Sequence, residues 1–367
     1  MVNIQHPIIR NVFLTMAISV VTLLILGREE NRASSWSPFR ESPVSMTSSP
    51  STETIHETAP ELSSEKPWPP LSSLVRGSEI TGDVQFALDF AIIAHPKTAT
   101  TFTMNWLASH RDIQMHKREL HALQEGKPAD LIRLMYELEP GYQYKRGYKA
   151  PRDIINSKVL DAMAKYFPKT GLVVGLRHPV LWFESFYNYR IRGGFKMPPA
   201  ETLRGDLKQE WYGVSTNESK FHINLDNLRK TSRTEEELAL LEGGKKKAYP
   251  KSKNPVFLYE VNQLHDSNST RADLYLQDLQ AFLGVEHPLE PIVDSTAGTI
   301  EHERPDGVIN ICDKKYTIIR EDLMKSAIEA SIWIRTYFLE SPDVSVSSPD
   351  HFKKLVEEWM IDPCHFR

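Results

Sequence analysis

An apolar run that ends in a proline, a lysine and three threonines most constrains the fold of this chain. Residues 90–94 are apolar, a helix-like stretch follows at 102–109, and the turn between them reads His95-Pro96-Lys97-Thr98-Ala99-Thr100-Thr101. In α/β proteins, a strand, a polar turn and a helix in this order can cradle a phosphate, because the turn and the first helical residues present backbone N–H groups. The helix N-terminus adds partial positive charge, and the lysine adds a full charge. The segment therefore predicts an α/β fold with an anion site at this turn.

The order of residues in this turn differs from that of the Walker phosphate loop. The Walker pattern needs two glycines before a Lys-Ser/Thr pair, whereas here the lysine precedes the hydroxyls. This order resembles the 5′-phosphosulfate loop of sulfotransferases that use 3′-phosphoadenosine-5′-phosphosulfate (PAPS). The resemblance implies that PAPS is bound by Lys97, Thr98, Ala99, Thr100 and Thr101. The family usually has glycine where Ala99 stands, and alanine can cradle a phosphate there if its φ stays negative. The alternative for the loop alone is an ordinary turn with capping threonines.

A second segment, residues 171–190, predicts another strand and helix. Its apolar start reads as a buried parallel strand, and Pro179 suits the first position of the helix that follows. Arg177 would then lie at the carboxyl end of the strand, where open α/β sheets bind ligands. Ser185 lies about two turns into the helix. The pair resembles the 3′-phosphate site of the same family, with His178 in place of its usual aspartate. The alternatives are a surface ion pair for Arg177 and a backward hydrogen bond for Ser185.

A third segment suggests the catalytic groups. Glu119 lies 22 positions after Lys97, and the stretch Glu119-Leu120-His121 resembles the Glu-x-His segment of Golgi heparan-type sulfotransferases. The resemblance implies that Glu119 is the base on the acceptor hydroxyl, with His121 as the competing base, as in the cytosolic enzymes. It also implies that Lys149 lies near the acceptor and the sulfuryl group, and that Lys97 stabilises the leaving phosphate. Solvated surface charges are the alternative for Glu119 and Lys149.

The resemblance covers residues 90–284 and implies a P-loop-like parallel sheet flanked by helices, of the sulfotransferase type. Residues 255–259 read as another strand, and residues 272–283 read as a helix that ends at Gly284. The family often adds a basic, glycine-containing loop beyond this point. We find no clear copy, and three residues are candidates for its role: Arg304, Lys314 and Lys315.

The N-terminal region predicts a membrane anchor. We expect a short cytoplasmic tail at 1–11, a signal-anchor transmembrane helix at 12–27, a disordered stem rich in Ser, Thr and Pro at 28–79, and a lumenal sulfotransferase domain at 80–367. A cleaved signal peptide is the competing interpretation, although no small-x-small site closes the apolar run. Anchor, stem and lumenal domain together resemble a type II Golgi enzyme, so we expect a single-pass Golgi membrane protein.

Charge and cysteine content add weaker expectations. The net charge of −4 gives no general polyanion-binding character, so we expect no nucleic-acid partner. The stretch 229–253 is locally basic, either as a solvated insertion or as a rim that attracts an acidic glycan. Asn217 and Asn268 begin N-glycosylation sequons. Cys312 and Cys364, the two cysteines of the chain, either form a disulfide or remain two buried thiols.

The resemblance implies an enzyme that transfers a sulfuryl group from PAPS to a hydroxyl, on a carbohydrate acceptor, and that releases adenosine 3′,5′-bisphosphate. This chemistry requires no metal, and no Cys/His cluster suggests one. The rival hypotheses are a non-catalytic glycan-binding protein with the same fold and a P-loop kinase, which needs a Mg²⁺ site. The sequence indicates neither the identity of the acceptor nor the oligomeric state.

Overall fold

The computed structural model of the protein describes residues 68–205, 213–230, 254–292 and 306–366. The predicted tail at 1–11, the predicted anchor at 12–27, most of the predicted stem, the basic residues 231–253 and Arg304 lie outside these residues. In the described part of the chain, no helix combines the length and apolar character that crossing a membrane requires.

Strands and helices alternate along most of the described chain. The strands are β1 (Val75–Arg76), β2 (Glu79–Ile80), β3 (Phe90–Ile92), β4 (Ile113–Glu119), β5 (Lys145–Lys149), β6 (Gly171–Leu176), β7 (Val256–Glu260) and β8 (Val344–Ser345). The α-helices are α1 (Leu71–Leu74), α2 (Thr100–Leu107), α3 (Pro128–Tyr136), α4 (Ser157–Tyr166), α5 (Pro179–Arg192), α6 (Phe221–Lys230), α7 (Ser269–Leu283), α8 (Thr317–Trp333) and α9 (Pro349–Glu357).

Six of the strands form one parallel sheet in the order β4-β5-β3-β6-β7-β8. Each neighbouring pair is parallel, with β3 between β5 and β6 and with Leu176 of β6 beside Glu260 of β7. The predicted parallel α/β sheet is therefore confirmed. Because all six strands run in the same direction, their carboxyl ends, and the loops that follow them, lie along one edge of the sheet.

Both faces of the sheet are covered, which explains why its central strands are continuously apolar. Successive side chains of β3 and its extension point to opposite faces, so Phe90 and Ile92 belong to one core cluster, and Ala91 and Ile93 to the other. Helices α2 and α7 cover the first face. The other helices that contribute to the core are α1, α3, α4, α5, α6, α8 and α9, and their buried residues belong to the second cluster.

The packed part of the chain begins upstream of the predicted boundary between residues 79 and 80. Strands β1 and β2 pair in antiparallel orientation. The Trp68 ring lies 5.1 Å from the Phe86 ring and 4.9 Å from the Tyr136 ring, and the Arg146 guanidinium lies 3.8 Å above it. Aromatic contacts of this kind hold residues 68–79 on the domain, so the predicted stem extended too far towards the C-terminus.

A disulfide joins Cys312 to Cys364, with their Cα atoms 5.4 Å apart. The C-terminal segment that it holds is anchored further by an ion pair of 2.9 Å between Arg320 and Asp362. The buried Trp359 belongs to the same segment and packs in the core. Of the two alternatives that the sequence left open for the cysteines, the structure has the bridged one.

Gly175 lets strand β6 pass close under the turn that follows β3. A Cβ atom at this position would lie 2.6 Å from the Thr98 carbonyl oxygen and 2.6 Å from the Tyr259 hydroxyl. Both distances are shorter than carbon and oxygen atoms can approach, and the carbonyl belongs to the backbone. The position of the turn above the sheet therefore depends on the absence of a side chain at residue 175.

We predict that Gly175→Ala destabilises the protein by about 1–3 kcal/mol, as overpacking of a filled site typically does. Gly171→Ala in the same strand is the matched control. Its Cβ atom would meet the Phe282 ring at 2.9 Å, and a partly buried ring at the edge of the core can move more easily than a backbone carbonyl. Urea denaturation of both variants measures the difference. Equal losses of stability in the two variants would contradict the close approach of the turn to β6.

Candidate active site

The turn after β3 has an unusual backbone. Lys97 and Ala99 adopt φ values of 68° and 63°, in the left-handed region that costs a residue with a side chain roughly 1–2 kcal/mol. The negative φ on which the sequence made the fit of Ala99 depend is therefore not adopted. The position requires left-handed backbone, which explains why glycine suits it in the family that the loop resembles.

Four hydrogen bonds to backbone carbonyls hold this turn in place. Inside the turn, the Thr98 hydroxyl donates to the His95 carbonyl at 2.8 Å. From neighbouring elements, the Tyr259 hydroxyl donates to the Thr98 carbonyl at 2.9 Å, the Trp182 indole to the Pro96 carbonyl at 2.7 Å, and the Arg177 guanidinium to the Lys97 carbonyl at 3.3 Å. Strained backbone persists where its surroundings over-determine it, and these bonds do so here.

The carbonyls of the turn are occupied, whereas its N–H groups are available. The N–H groups of residues 97–101 have no acceptor among the described residues, and no side chain caps the start of α2. The Thr98 side chain is fully buried and bonded within the turn, so Thr98 can offer an anion its N–H but not its hydroxyl. The turn and the start of α2 thus combine N–H donors with the positive end of a helix.

Lys97 lies in a positively charged neighbourhood. Its ammonium group lies 4.4 Å from the centre of the Tyr189 ring, on α5. Burial lowers the pKa of Lys97, and the nearby positive charges of Arg177, Arg192 and Lys149 lower the pKa further. A bound anion would reduce this mutual repulsion, so the electrostatics favour an anion beside Lys97.

Glu119, Lys149, Thr101 and His121 come together at the ends of β4 and β5. The Lys149 ammonium, which is almost fully buried, donates to Glu119 at 2.5 Å and to the Thr101 hydroxyl at 3.0 Å. The other Glu119 oxygen lies 3.9 Å from Nε2 of His121. Because the register of the parallel pair places Glu119 beside Lys149, sheet geometry itself creates this contact. The ion pair and the Thr101 hydrogen bond hold the Glu119 carboxylate at the ends of β4 and β5.

Arg177 and Ser185 lie on the β6–α5 unit. Arg177 contacts the turn through the Lys97 carbonyl, and Ser185 is half-buried on α5. His178 caps α5, because its ring accepts a hydrogen bond from the Val180 N–H at 3.2 Å. Burial lowers the pKa of His178 to about 4, so this cap is neutral at physiological pH. His178 therefore has a structural role where the related pattern has aspartate.

Glu260 is buried at the end of β7, next to the Arg177 end of β6. Its carboxylate accepts from the Asn262 N–H at 2.7 Å and from the side chain of Trp359. Burial raises the pKa of Glu260 to about 7, although these hydrogen bonds and the charge of Arg177 oppose the shift. Through Trp359, the segment that the disulfide holds reaches this edge of the sheet.

A cavity of about 390 Å³ opens beside the turn. Five of the predicted site residues line it, namely Lys97, Ala99, Thr100, Thr101 and Glu119. Lys149 lies behind Glu119 and Thr101, whereas Thr98, His121, Arg177 and Ser185 do not form part of the cavity wall.

Several residues of the cavity wall were not predicted from the sequence. These are Pro96, Phe102, Pro151, Arg152, Phe186, Tyr189 and Arg190. Phe186, Tyr189 and Arg190 are spaced as residues i, i+3 and i+4, so they share one face of α5, and this spacing was visible in the sequence. Arg152 lies three residues after Lys149, which the sequence did predict as a site residue.

Other predicted residues lie away from the cavity. Lys314 and Lys315 do not line it, and Lys315 instead contacts the Tyr316 ring. Asn268 is exposed and caps α7, whereas Asn217 is half-buried. Glycosylation at either asparagine stays a prediction. Among the described residues, no three His, Cys, Asp or Glu side chains cluster in a way that could hold a metal ion.

Comparison with known proteins gives limited information. No protein-family model matches the sequence, and no curated protein matches it. Among solved structures, a sulfotransferase from Alicyclobacillus acidocaldarius is 15% identical with a TM-score of 0.45, covering 69% of this chain and 96% of its own. The sulfotransferase domain of the olefin synthase from Synechococcus PCC 7002 is 16% identical with a TM-score of 0.34, covering 66% and 94%. At these values the likeness adds nothing to what the residues of this chain indicate about function.

We predict that Ala99→Gly stabilises the protein, by roughly 0.5–1 kcal/mol, because relief of the left-handed strain exceeds the added freedom of the unfolded chain. Ala108→Gly is the matched control, since Ala108 ends α2 with a φ of −68° and should lose stability on the same change. Guanidinium titrations of the wild type and both variants measure the free energy of unfolding and show whether each substitution stabilises or destabilises the protein. A loss of stability in both variants would contradict the strained turn.

We predict that Glu260 makes stability depend on pH. The folded-state pKa of Glu260 is raised to about 7 from 4.5, so its contribution is fully present below pH 4.5 and is lost as the pH rises through about 7. The free energy of unfolding of the wild type relative to Glu260→Gln should therefore fall across this window, by at most about 1.4 kcal/mol per pH unit. Denaturant titrations from pH 4 to pH 8 measure it. If the free energy of unfolding of the wild type relative to Glu260→Gln instead rises with pH, Glu260 is ionised in the folded protein.

Proposed function

We propose that the protein is a PAPS-dependent sulfotransferase that transfers a sulfuryl group to a hydroxyl, on a carbohydrate acceptor. The observation that carries this proposal is the convergence, on one cavity, of the Lys97 turn with its available N–H groups and of Glu119 with its Lys149 partner. The first group suits a phosphosulfate and the second a hydroxyl that must lose its proton.

The charge of the cavity supports an anionic donor molecule. Among the described residues of its wall, the cations Lys97, Arg152 and Arg190 face one carboxylate, Glu119, which is already paired with Lys149. The N–H groups of the turn and the start of α2 add partial positive charge. Arg177 and Ser185 would hold the 3′-phosphate at the end of the neighbouring strand β6, as the sequence resemblance implies. Arg177 also contacts the turn, through a hydrogen bond to the Lys97 carbonyl.

The residues present can be assigned to each part of the transfer. The acceptor oxygen bonds to sulfur while the bond between sulfur and the 5′-phosphate oxygen breaks, and the acceptor proton passes to the Glu119 carboxylate. Lys97 stabilises the negative charge that develops on the leaving phosphate. Lys149 holds Glu119 and Thr101 and so positions the base beside the phosphosulfate loop. The products are a sulfate ester and adenosine 3′,5′-bisphosphate.

The geometry favours Glu119 over His121 as the base. Glu119 forms part of the cavity wall and His121 does not, although its ring lies 3.9 Å from a Glu119 oxygen. His121 would then orient the carboxylate from outside the cavity. Glu119, His121 and Lys149 are also the residues that resemble the Golgi heparan-type branch, and we propose that branch for this chain.

The cellular setting is part of the proposal. The apolar run at 12–27 and the polar stretch after it support a single-pass type II protein of the Golgi membrane with a lumenal domain. The Cys312–Cys364 disulfide supports an oxidising compartment, since such bonds are rare in the cytosol.

Transfer of label from PAPS is the direct test of this function. The protein is incubated with sulfur-labelled PAPS and a panel of glycans, and the products are separated. The proposal expects labelled glycan and adenosine 3′,5′-bisphosphate in equal amounts. Transfer of a phosphoryl group from ATP with Mg²⁺, without any sulfuryl transfer, would favour the kinase alternative instead. Binding of glycans without turnover would favour the non-catalytic one.

We predict that Lys97→Ala lowers the turnover number by about 10²–10³, the usual loss when one electrostatic donor to a developing charge is removed. Lys196→Ala is the control, because Lys196 is exposed and lies outside the cavity wall. Circular dichroism shows whether both variants fold. If the folded Lys97→Ala variant keeps more than about a third of the wild-type activity, the role proposed for Lys97 and its turn is wrong.

We predict that Glu119→Gln lowers the turnover number by about 10²–10⁴ with little change in affinity for PAPS, because the amide keeps the shape and loses the basicity. His121→Ala is the matched comparison and should show a smaller loss, shared between turnover and the acceptor KM. Steady-state kinetics with one good acceptor separate the two. Normal turnover in Glu119→Gln with an inactive His121→Ala would identify His121 as the base.

A further inference from the structure

Three segments of the chain meet at the buried carboxylate of Asp153. Asp153 lies in the short 3₁₀ helix Pro151–Ile155, is fully buried and does not form part of the cavity wall. The Gln124 side-chain amide donates to one oxygen of this carboxylate at 2.6 Å, and the Tyr148 hydroxyl donates to the other at 2.6 Å. Gln124 belongs to the turn that follows β4, and Tyr148 belongs to β5. One carboxylate therefore joins the segment after β4 to the end of β5.

Both oxygens of Asp153 act as acceptors, which requires the ionised acid. A protonated carboxyl group carries a hydroxyl on one oxygen and cannot accept at both in the same way. Burial raises the pKa of Asp153 to about 6, and the hydrogen bonds from Tyr148 and Gln124 oppose the shift. The ionised form therefore predominates at neutral pH. Because burial of a carboxylate is destabilising, an apolar side chain would fill this position better if packing were its only role.

The sheet ladder alone does not fix the end of β4. The pairing of β4 with β5 shifts register between Met115 and Glu119. A shift of this kind disrupts the ladder hydrogen bonds and bends the strand. At the strand end, Glu119 contacts Lys149, and the Leu120 N–H donates to the Lys149 carbonyl at 3.1 Å. The strand thus rejoins β5 at the residues proposed as the base and its lysine.

The turn after β4 reaches the rest of the site through Gln124. Within the described chain, the backbone hydrogen bonds of residues 121–126 join residues of the same turn. The Gln124 side chain leaves the turn, and its bond to Asp153 is strengthened by the charge of the acceptor. The charges of His121 and Glu119 both act on Asp153, so the proposed base and its neighbour lie close to this carboxylate.

We propose that Asp153 is a positioning residue for the transfer, which sets the place of the Glu119 base through hydrogen bonds to Gln124 and Tyr148. This inference rests on the proposed sulfuryl transfer and adds a residue that acts from outside the cavity wall. With both hydrogen bonds in place, the Glu119 carboxylate stays beside Lys149. A general base acts within hydrogen-bond reach of its proton, and a displacement of about 1 Å can lower a rate by about 10²-fold.

A triple variant separates positioning from stability. Gln124→Leu, Tyr148→Phe and Asp153→Ala together remove all three polar groups and keep the total side-chain volume nearly the same. Because none of the three is left with an unpaired polar group, the urea midpoint should change little. The turnover number should nevertheless fall by about 10–10²-fold, with unchanged affinity for adenosine 3′,5′-bisphosphate. Steady-state kinetics with PAPS and the best acceptor of the glycan panel, together with calorimetric titration of the nucleotide, measure the two effects.

Two single variants are matched to this experiment. In Asp153→Asn, the Gln124 amide can turn round to accept from the new amide while Tyr148 still donates, so most of the turnover should remain. Thr170→Val removes another buried hydrogen bond, from the Thr170 hydroxyl to the Leu88 carbonyl at 2.7 Å, just before β6. It should lower the urea midpoint and leave the turnover number unchanged.

The inference is overturned if the folded triple variant turns over normally or if its loss lies in nucleotide affinity. It is also overturned if Asp153→Asn is as inactive as the triple variant, because the charge and not the position would then matter. If the triple variant does not fold, Tyr148→Phe alone decides the question, since it removes one of the two hydrogen bonds and should still lower the turnover number without changing nucleotide affinity.

The wild type separates failure of this inference from failure of the proposed function. If the wild type binds adenosine 3′,5′-bisphosphate and transfers sulfuryl groups while the variants behave like it, the positioning role of Asp153 is wrong and the proposed function stands. If the wild type neither binds the nucleotide nor transfers a sulfuryl group, the proposed function is wrong, and the inference fails with it.

Discussion

The candidate site depends on one strained turn held against the ends of the central strands. Lys97 and Ala99 both adopt positive φ, and hydrogen bonds from Thr98, Tyr259, Trp182 and Arg177 fix the carbonyls of the turn. Because the carbonyls are turned towards the protein and bonded, the N–H groups are left for a ligand. The strain and the anion site are thus two results of one backbone conformation.

The parallel sheet brings charges to the edge where this turn lies. Lys149 ends β5 beside Glu119 at the end of β4, and Arg177 follows β6 on the other side of β3. In a parallel sheet these positions share one edge whatever their separation in sequence. Burial lowers the pKa of Lys97, the accumulated positive charge lowers it further, and a bound anion would reduce the repulsion among these charges. Folding provides the energy for this arrangement, because the core on both faces of the sheet holds the strands in register.

Much of this arrangement could be predicted from the sequence, and the failures have physical reasons. Continuous apolar runs before Lys97 and Arg177 indicated buried parallel strands, since both faces of such strands are covered. The positive φ of Ala99 could not be predicted, because an alanine in sequence gives no sign that hydrogen bonds around it impose the left-handed region.

The rest of the cavity wall was harder to predict than the turn after β3. Arg190 meets Phe195 across the end of α5, and no periodicity describes a contact between a helix and the segment that leaves it. Trp68 was assigned to a stem because the residues before it are polar, whereas its contacts come from residues far along the chain, such as Tyr136 and Arg146. Local sequence patterns predicted the strands and the turn. The cavity wall and the packing of Trp68 depend on contacts that these patterns do not describe.

Isothermal titration with three nucleotides tests the central claim most directly. Adenosine 3′,5′-bisphosphate is compared with adenosine 5′-monophosphate, which lacks the 3′-phosphate, and with ATP in the presence of Mg²⁺. The account predicts that the bisphosphate binds about tenfold or more tightly than the monophosphate, as a bidentate contact to Arg177 would provide, and more tightly than ATP. Equal affinities for the bisphosphate and the monophosphate, or a preference for ATP with Mg²⁺, would contradict it.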